Sequence, residues 1–179
     1  DALSAAGYPC FGGLDLSRVQ DLTALTLTWL LEATRDKWRF QSKTWFWTPK
    51  DTMVERALKD MAPYDQWADL GHIEAVPGKR ISYHWLANAL GEICAKYAPE
   101  KIGGDPYGMQ QLLEKCNEIG LSLPIETHPQ GFQRKVIAKD ENGPEGANEI
   151  ALWMPDSINK LEAALLEHEG VAEVAVVGL

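Results

Sequence analysis

The sequence is poor in cysteine, poor in basic residues and without long apolar runs, and each shortage closes off a class. It has three cysteines, Cys10, Cys94 and Cys116, far apart and in no C-x-x-C pattern. An odd, scattered set suits a reducing compartment and argues against a zinc site or a disulfide scaffold. No stretch is long and apolar enough to span a bilayer, so no membrane partner is expected. The N-terminus lacks the basic-then-apolar order of a secretory signal. Lysine and arginine number 17 against 26 aspartates and glutamates, a net charge of −9. On charge alone this balance argues against nucleic-acid binding.

What is present reads as one soluble globular domain over residues 1–179, 45% hydrophobic and 24% charged, large enough for a sizeable core. The first part is strand-like: Phe11 to Ser17, Leu22 to Leu31, and Trp38 to Trp47 with its aromatics Trp45, Phe46 and Trp47. Short connections between these runs predict an antiparallel meander. Pro49-Lys50-Asp51 opens a helix through about Met61, with Asp51 as its cap or in its first turn. Tyr64 to Gly71 is a loop or short helix, and Ile73 to Val76 a short strand stopped by Pro77-Gly78.

A clearer helix follows Ser82, a suitable N-cap. Tyr83, Leu86, Leu90, Ile93, Cys94 and Tyr97 repeat at helical spacing. Lys101 to Asp105 reads as a buried strand, and Pro106 suits the first turn of the next helix. That helix places Met109, Leu112, Leu113, Cys116 and Ile119 on one side and stops at Gly120. Leu123 to Thr127 is a short strand, and Gly131 to Asn148 a long polar loop. A last helix starts at Pro155-Asp156-Ser157 and stops near Gly170, before a strand-like Val171 to Val177.

The predicted fold is therefore α/β: three antiparallel strands, then strands joined by helical crossovers, flanked by helices. This is a ribonuclease H-like mixed sheet. In that layout the first strand lies beside the strand after the crossover. Asp15 and Asp105, each at or near the end of an apolar run, then sit close together although 90 residues separate them. Two neighbouring carboxylates repel unless they share a proton or a cation. Mg²⁺ takes oxygen ligands, typically one or two carboxylates with water and phosphate. Two such ions about 4 Å apart activate water and stabilise the leaving oxygen of a phosphodiester. The competing reading of Asp15 is a turn cap ahead of Ser17 and Arg18.

Several motifs resemble one family. "GLDLSRVQDLTALTL", the Trp-rich "KTWFWTPKD", "PYDQWADLGHIEAVPGKRISYHWL", "IGGDPYGMQQLLEKC", "HPQGF" and "MPDSINKLEAALLE" are similar to segments of the nuclease domain of tailed-phage terminase large subunits. The resemblance runs from Phe11 to Glu167. It implies a divalent-metal-dependent endonuclease that cuts concatemeric viral DNA during head packaging, with Mg²⁺ or Mn²⁺ as cofactor and two ions in a complete site. By motif, Asp15 and Asp105 take the places of the first and second metal-binding acids. Asp21 stands where the family repeats an aspartate. The implied partners are double-stranded DNA, the terminase ATPase domain, the small subunit and the portal protein, in the host bacterial cytoplasm.

The sequence departs from the family in two places. No Walker A loop exists, since "VPGKR" at Val76 to Arg80 lacks the upstream glycine and the Ser/Thr after Lys79. The chain therefore reads as the nuclease portion, or a prophage fragment of it. The family's third acid, expected after the segment like "LEAALLE", is replaced by "HEGVAEVAVVGL". This reads as a shortened C-terminal end, with residues 171–179 of uncertain origin and Glu169 or Glu173 as substitutes for the missing acid.

Other residues have plainer readings. Trp29, Trp45, Trp47 and Trp85 suit the core or its edge. His72, His84, His128 and His168 show no ligand spacing. Lys79-Arg80 and Arg134-Lys135 with Lys139 are either solvated charges or phosphate contacts flanking the site. Bound cations invert a local acidic field, which answers the objection from net charge. Two alternatives are a catalytically impaired prophage remnant that binds protein or DNA, and a ribonuclease H-fold phosphotransferase. The second would need a further nucleotide-binding domain.

Overall fold

The computed structural model describes residues 2–16, 22–34, 37–127, 135–139 and 149–152. The chain divides into two compact units, Asp1–Thr127 and His128–Leu179. Among the described residues, no helix is long and apolar enough to cross a membrane.

The first unit begins with a short helix, α1 (Ala2–Ala5), and three strands: β1 (Cys10–Asp15), β2 (Thr23–Ala33) and β3 (Trp38–Pro49). A 3-10 turn (Lys50–Thr52) leads into α2 (Met53–Asp60) and α3 (Tyr64–Asp69). Then come β4 (Glu74–Val76), α4 (Tyr83–Tyr97), β5 (Lys101–Gly104), α5 (Met109–Glu118) and β6 (Ile125–Thr127). The six strands form one sheet in the order β4-β3-β2-β1-β5-β6. The pairs β1–β2 and β2–β3 are antiparallel, and the pairs β3–β4, β1–β5 and β5–β6 are parallel. The expected meander followed by helical crossovers is the architecture observed.

Strand alternation explains which face is covered. In β2, Thr23, Leu25, Leu27 and Trp29 are buried while the residues between them are half-buried. Cys10 and Leu14 of β1 and Ile102 of β5 point to the same core. They meet Leu86, Ala87, Leu90 and Tyr97 of α4 and Met109, Leu112 and Cys116 of α5. Each fully buried leucine there contributes about 1.5–3 kcal/mol of transfer free energy. Ser82 caps α4 as its sequence suggests, its hydroxyl accepting from the Trp85 N–H at 3.1 Å. Ser4 ties α1 down by accepting from Trp29 Nε1 at 3.0 Å and donating to the Tyr97 carbonyl at 2.8 Å.

Asp51 lies in the first turn of the helical run after Pro49, one of the two places expected; that turn is 3-10, and α2 follows from Met53. Two expectations need correction. Pro106 does not open α5. The Tyr107 N–H is taken by Asp105 Oδ1 at 2.8 Å, and Gly108 turns left-handed at φ 72° before the helix begins. Within the supposed loop Gly131 to Asn148, β7 (Lys135–Lys139) forms, pairing antiparallel with β8 (Glu149–Leu152) in the second unit. The apolar run of β7, Val136 to Ala138, is three residues between lysines, too short to stand out by periodicity. The expected helix after Pro155, the strand at 171–177, and Glu169 and Glu173 lie outside the described residues.

Candidate metal centre

The two aspartates owe their placement to a parallel strand pair. β1 and β5 align Phe11 with Lys101, Gly12 with Ile102, Gly13 with Gly103 and Leu14 with Gly104. Asp15 ends β1, and Asp105 follows the last residue of β5. Both therefore stand one residue beyond the Leu14–Gly104 pair, on strands about 4.8 Å apart. Leu14 and Gly104 are buried, so the period of two turns Asp15 and Asp105 to the opposite side of the sheet. Asp15 is exposed and Asp105 half-buried. Asp21 lies outside the described residues.

The surroundings of Asp105 are specific. One carboxylate oxygen, Oδ1, accepts the Tyr107 N–H at 2.8 Å. An open depression lined by Pro106, Tyr107, Gly108, Gln110, Gln111 and Glu114 adjoins this turn. Among the described residues, no three or more His, Cys, Asp or Glu side chains gather to hold a metal. The side chains that end β1 and follow β5 are carboxylates, the donor type of hard cations such as Mg²⁺ and Mn²⁺.

The sheet also organises the basic residues. β3 and β4 run parallel to β1, so their C-terminal ends emerge at the same edge as Asp15 and Asp105. The exposed Lys79 and Arg80 follow β4 on that edge. Three strand spacings separate β4 from β1, about 14 Å. Arg134 lies outside the described residues, and Lys135 and Lys139 belong to β7. His72 and His84 are exposed.

The cysteines take no part in this edge. Cys10 and Cys116 are buried, Cys94 is half-buried, and all three are free thiols. Burial pushes each thiol above its ordinary value, Cys94 to about 11. Such thiols stay protonated and make poor metal ligands or nucleophiles at neutral pH.

Sequence reasoning missed Arg56. Its guanidinium is 2% exposed, donates to Thr48 Oγ1 at 2.6 Å and lies 5.0 Å from the centre of the Tyr64 ring. Its Nε and Nη2 have no hydrogen-bond partner among the described residues. An arginine in an amphipathic helix reads as solvated, and only the packing of α2 shows otherwise. The sequence places Tyr83 on the apolar face of a helix and Gly104 and Gly108 around Asp105, but not the contacts the two glycines allow, because a glycine's neighbours are invisible in one dimension.

Comparisons with known proteins agree with this fold. The family model "Terminase large subunit, endonuclease domain" matches residues 1–136. The match thus ends short of Glu167, where the motif resemblance was followed. The chain is 35% identical over 123 residues to the terminase large subunit of Enterobacteria phage HK97, covering 69% of this chain and 24% of that protein. It also resembles the crystal structure of the HK97 bacteriophage large terminase, with a TM-score of 0.61 and 33% identity over 70% of this chain and 25% of that one. The chain spans about a quarter of the length of these relatives. With its mixed sheet, its two aspartates on adjacent parallel strands and a family match over most of its length, the chain belongs to the endonuclease-domain family of terminase large subunits.

Proposed function

We propose that this domain is a divalent-metal-dependent DNA endonuclease that hydrolyses phosphodiesters to cut concatemeric phage DNA during packaging. The observation that carries the reading is the β1–β5 register, which directs Asp15 and Asp105 to one side of one sheet edge. A pair of carboxylates there lowers its mutual repulsion by holding a cation. Asp15 and Asp105 would hold Mg²⁺ or Mn²⁺, two ions in a complete site. When bound, such ions polarise a phosphoryl oxygen and supply hydroxide at neutral pH.

The chain's own residues do the rest. Strand β1 keeps Asp15 rigid, since its neighbours on both sides are paired. The Tyr107 N–H fixes the rotamer of Asp105. Lys79 and Arg80, on the same edge, suit contacts to backbone phosphates that position the duplex without reading sequence. Asp21 is proposed as an accessory acid on the family resemblance alone. Double-stranded DNA is the proposed substrate. A packaging ATPase domain, the small subunit and the portal are the proposed partners, in the cytoplasm of a bacterial host.

The test is nicking of supercoiled plasmid by the 179-residue chain in Mn²⁺ or Mg²⁺, with and without ATP. Weak, sequence-nonspecific nicking that ignores ATP and disappears with EDTA or with Asp15→Asn is expected. The amide keeps the shape of the side chain and loses the anionic ligand. Cutting that survives both treatments overturns the proposal.

A further inference from the structure

Two glycines bracket Asp105, and each makes room for a residue that brackets Asp15. A Cβ built on Gly104 would lie 3.1 Å from the backbone oxygen of Leu14 and would run into Met109 Cε. Met109 Cε is the far end of a flexible side chain and can shift, but the Leu14 carbonyl is part of the paired β1 backbone and yields less readily. A Cβ on Gly108 would lie 2.6 Å from Tyr83 Oη and 3.5 Å from Leu16 Cδ1. Gly108 also has φ 72°, a conformation that costs a non-glycine residue about 1–2 kcal/mol.

The pattern is reciprocal. Gly104 precedes Asp105 and touches Leu14, which precedes Asp15. Gly108 ends the turn after Asp105 and touches Leu16, which follows Asp15. We infer that Gly104 and Gly108 are positioning residues that set the separation of the Asp15 and Asp105 carboxylates, with Tyr83 as the backstop behind Gly108. A methyl group at Gly104 would press the β5–α5 turn against the Leu14 carbonyl of β1, and one at Gly108 would press it against Tyr83 of α4, so either would shift the turn that carries Asp105. Metal binding by a pair of carboxylates tolerates displacements of only about 0.5 Å. The inference rests on the proposed metal site, because the separation matters only if the two carboxylates act together.

Gly91 supplies the control. A Cβ there would lie 2.8 Å from Leu121 Cδ1, a contact as close as the one at Gly108 but made between α4 and the segment after α5. Gly91→Ala therefore strains the core without touching either aspartate's turn.

The experiment measures Mn²⁺ binding by electron paramagnetic resonance of free Mn²⁺, with MnCl₂ alone added to the 179-residue chain. Gly104→Ala and Gly108→Ala are expected to weaken binding at least tenfold, and Gly91→Ala to leave it within twofold. The double variant Gly108→Ala/Tyr83→Phe removes the hydroxyl that the new methyl meets, and should recover most of the lost affinity while remaining less stable. A purely structural glycine would show no such recovery. The inference is overturned if both glycine variants bind Mn²⁺ like the wild type, or if Gly91→Ala loses as much. Backbone amide shifts of residues 14–16 and 104–106 in metal-free protein give a second readout. They should move in both variants and return in the double variant. If wild-type protein binds no Mn²⁺, the metal-site reading fails, and these shifts alone decide whether the glycines position the turn.

Discussion

Asp105 accepts a hydrogen bond from the Tyr107 N–H at 2.8 Å, so a residue proposed as a metal ligand also holds its own turn. The two roles separate by substitution. Asp105→Asn keeps an oxygen that can accept the Tyr107 N–H, and should leave thermal stability close to wild type while abolishing Mn²⁺ binding. Asp105→Ala should lose both, with a stability cost of about 0.5–1.5 kcal/mol for the missing hydrogen bond. Urea melts and Mn²⁺ titrations on the pair check this. Equal stability of the two variants would show that the turn does not need the side chain.

Arg56 is buried with its Nε and Nη2 lacking a hydrogen-bond partner among the described residues, although it donates to Thr48 Oγ1 and stacks near Tyr64. Burying a guanidinium costs several kcal/mol that a single hydrogen bond does not fully offset. Arg56→Ala should nevertheless destabilise by about 2–4 kcal/mol, since it empties the site and leaves the fully buried Thr48 hydroxyl without its donor. Arg56→Met with Thr48→Val replaces both partners by apolar groups of similar volume. That double variant should fold within about 1 kcal/mol of the wild type. A double variant as unstable as Arg56→Ala would mean that the guanidinium is stabilising through contacts beyond Thr48.

The thiols make stability fall in alkali. Burial raises the Cys94 thiol from 9.0 to about 11, and Cys10 and Cys116 move the same way. Below pH 9 the thiol is protonated in both states and stability does not depend on it. Between pH 9 and 11 the unfolded chain releases the proton while the folded chain keeps it, so stability drops as pH rises. For Cys94 the full drop is roughly 2–3 kcal/mol at about 1.4 kcal/mol per unit. Urea midpoints measured from pH 8 to 10.5 should decline, and Cys94→Ala should make the decline shallower. An unchanged slope in that variant would assign the alkaline loss to other groups.

Metal preference tests the two-acid site. If Asp15 and Asp105 were the only protein ligands, an ion would keep more water and be held loosely. Nicking should be weak in Mg²⁺, which demands near-ideal octahedral geometry, and stronger in Mn²⁺. A longer chain that adds a carboxylate near Asp15 should gain rate per mole in Mg²⁺. If the present chain matches the longer one in Mg²⁺, either two acids suffice or a residue such as Glu173 completes the site.

Local patterns were enough for the regular elements of the first unit. Ser82 followed by apolar residues at helical spacing identified α4, because capping and amphipathicity act within one or two turns. The alternation in Leu22 to Leu31 identified β2, because a strand with one covered face must bury every second residue. The adjacency of Asp15 and Asp105 could be anticipated only by combining these elements with the topology of crossovers. Pro106 shows where local preference loses: its fixed φ suits a first helical turn, but the Asp105 side chain competes for the Tyr107 N–H and delays the helix to Met109.

The sequence by itself determined the class of fold, the order of β1 to β6 with the helices between them, and two acids placed at strand ends. These follow from periodicity and from residue chemistry that act along the chain. The tertiary structure alone decided that Arg56 faces inward, that three distant cysteines become buried or half-buried thiols with raised pKa, and that Gly104 and Gly108 abut Leu14 and Leu16. Each of these depends on which atoms from remote segments occupy the same few ångströms. Close packing makes that occupancy decisive, and no pattern along a single chain records it.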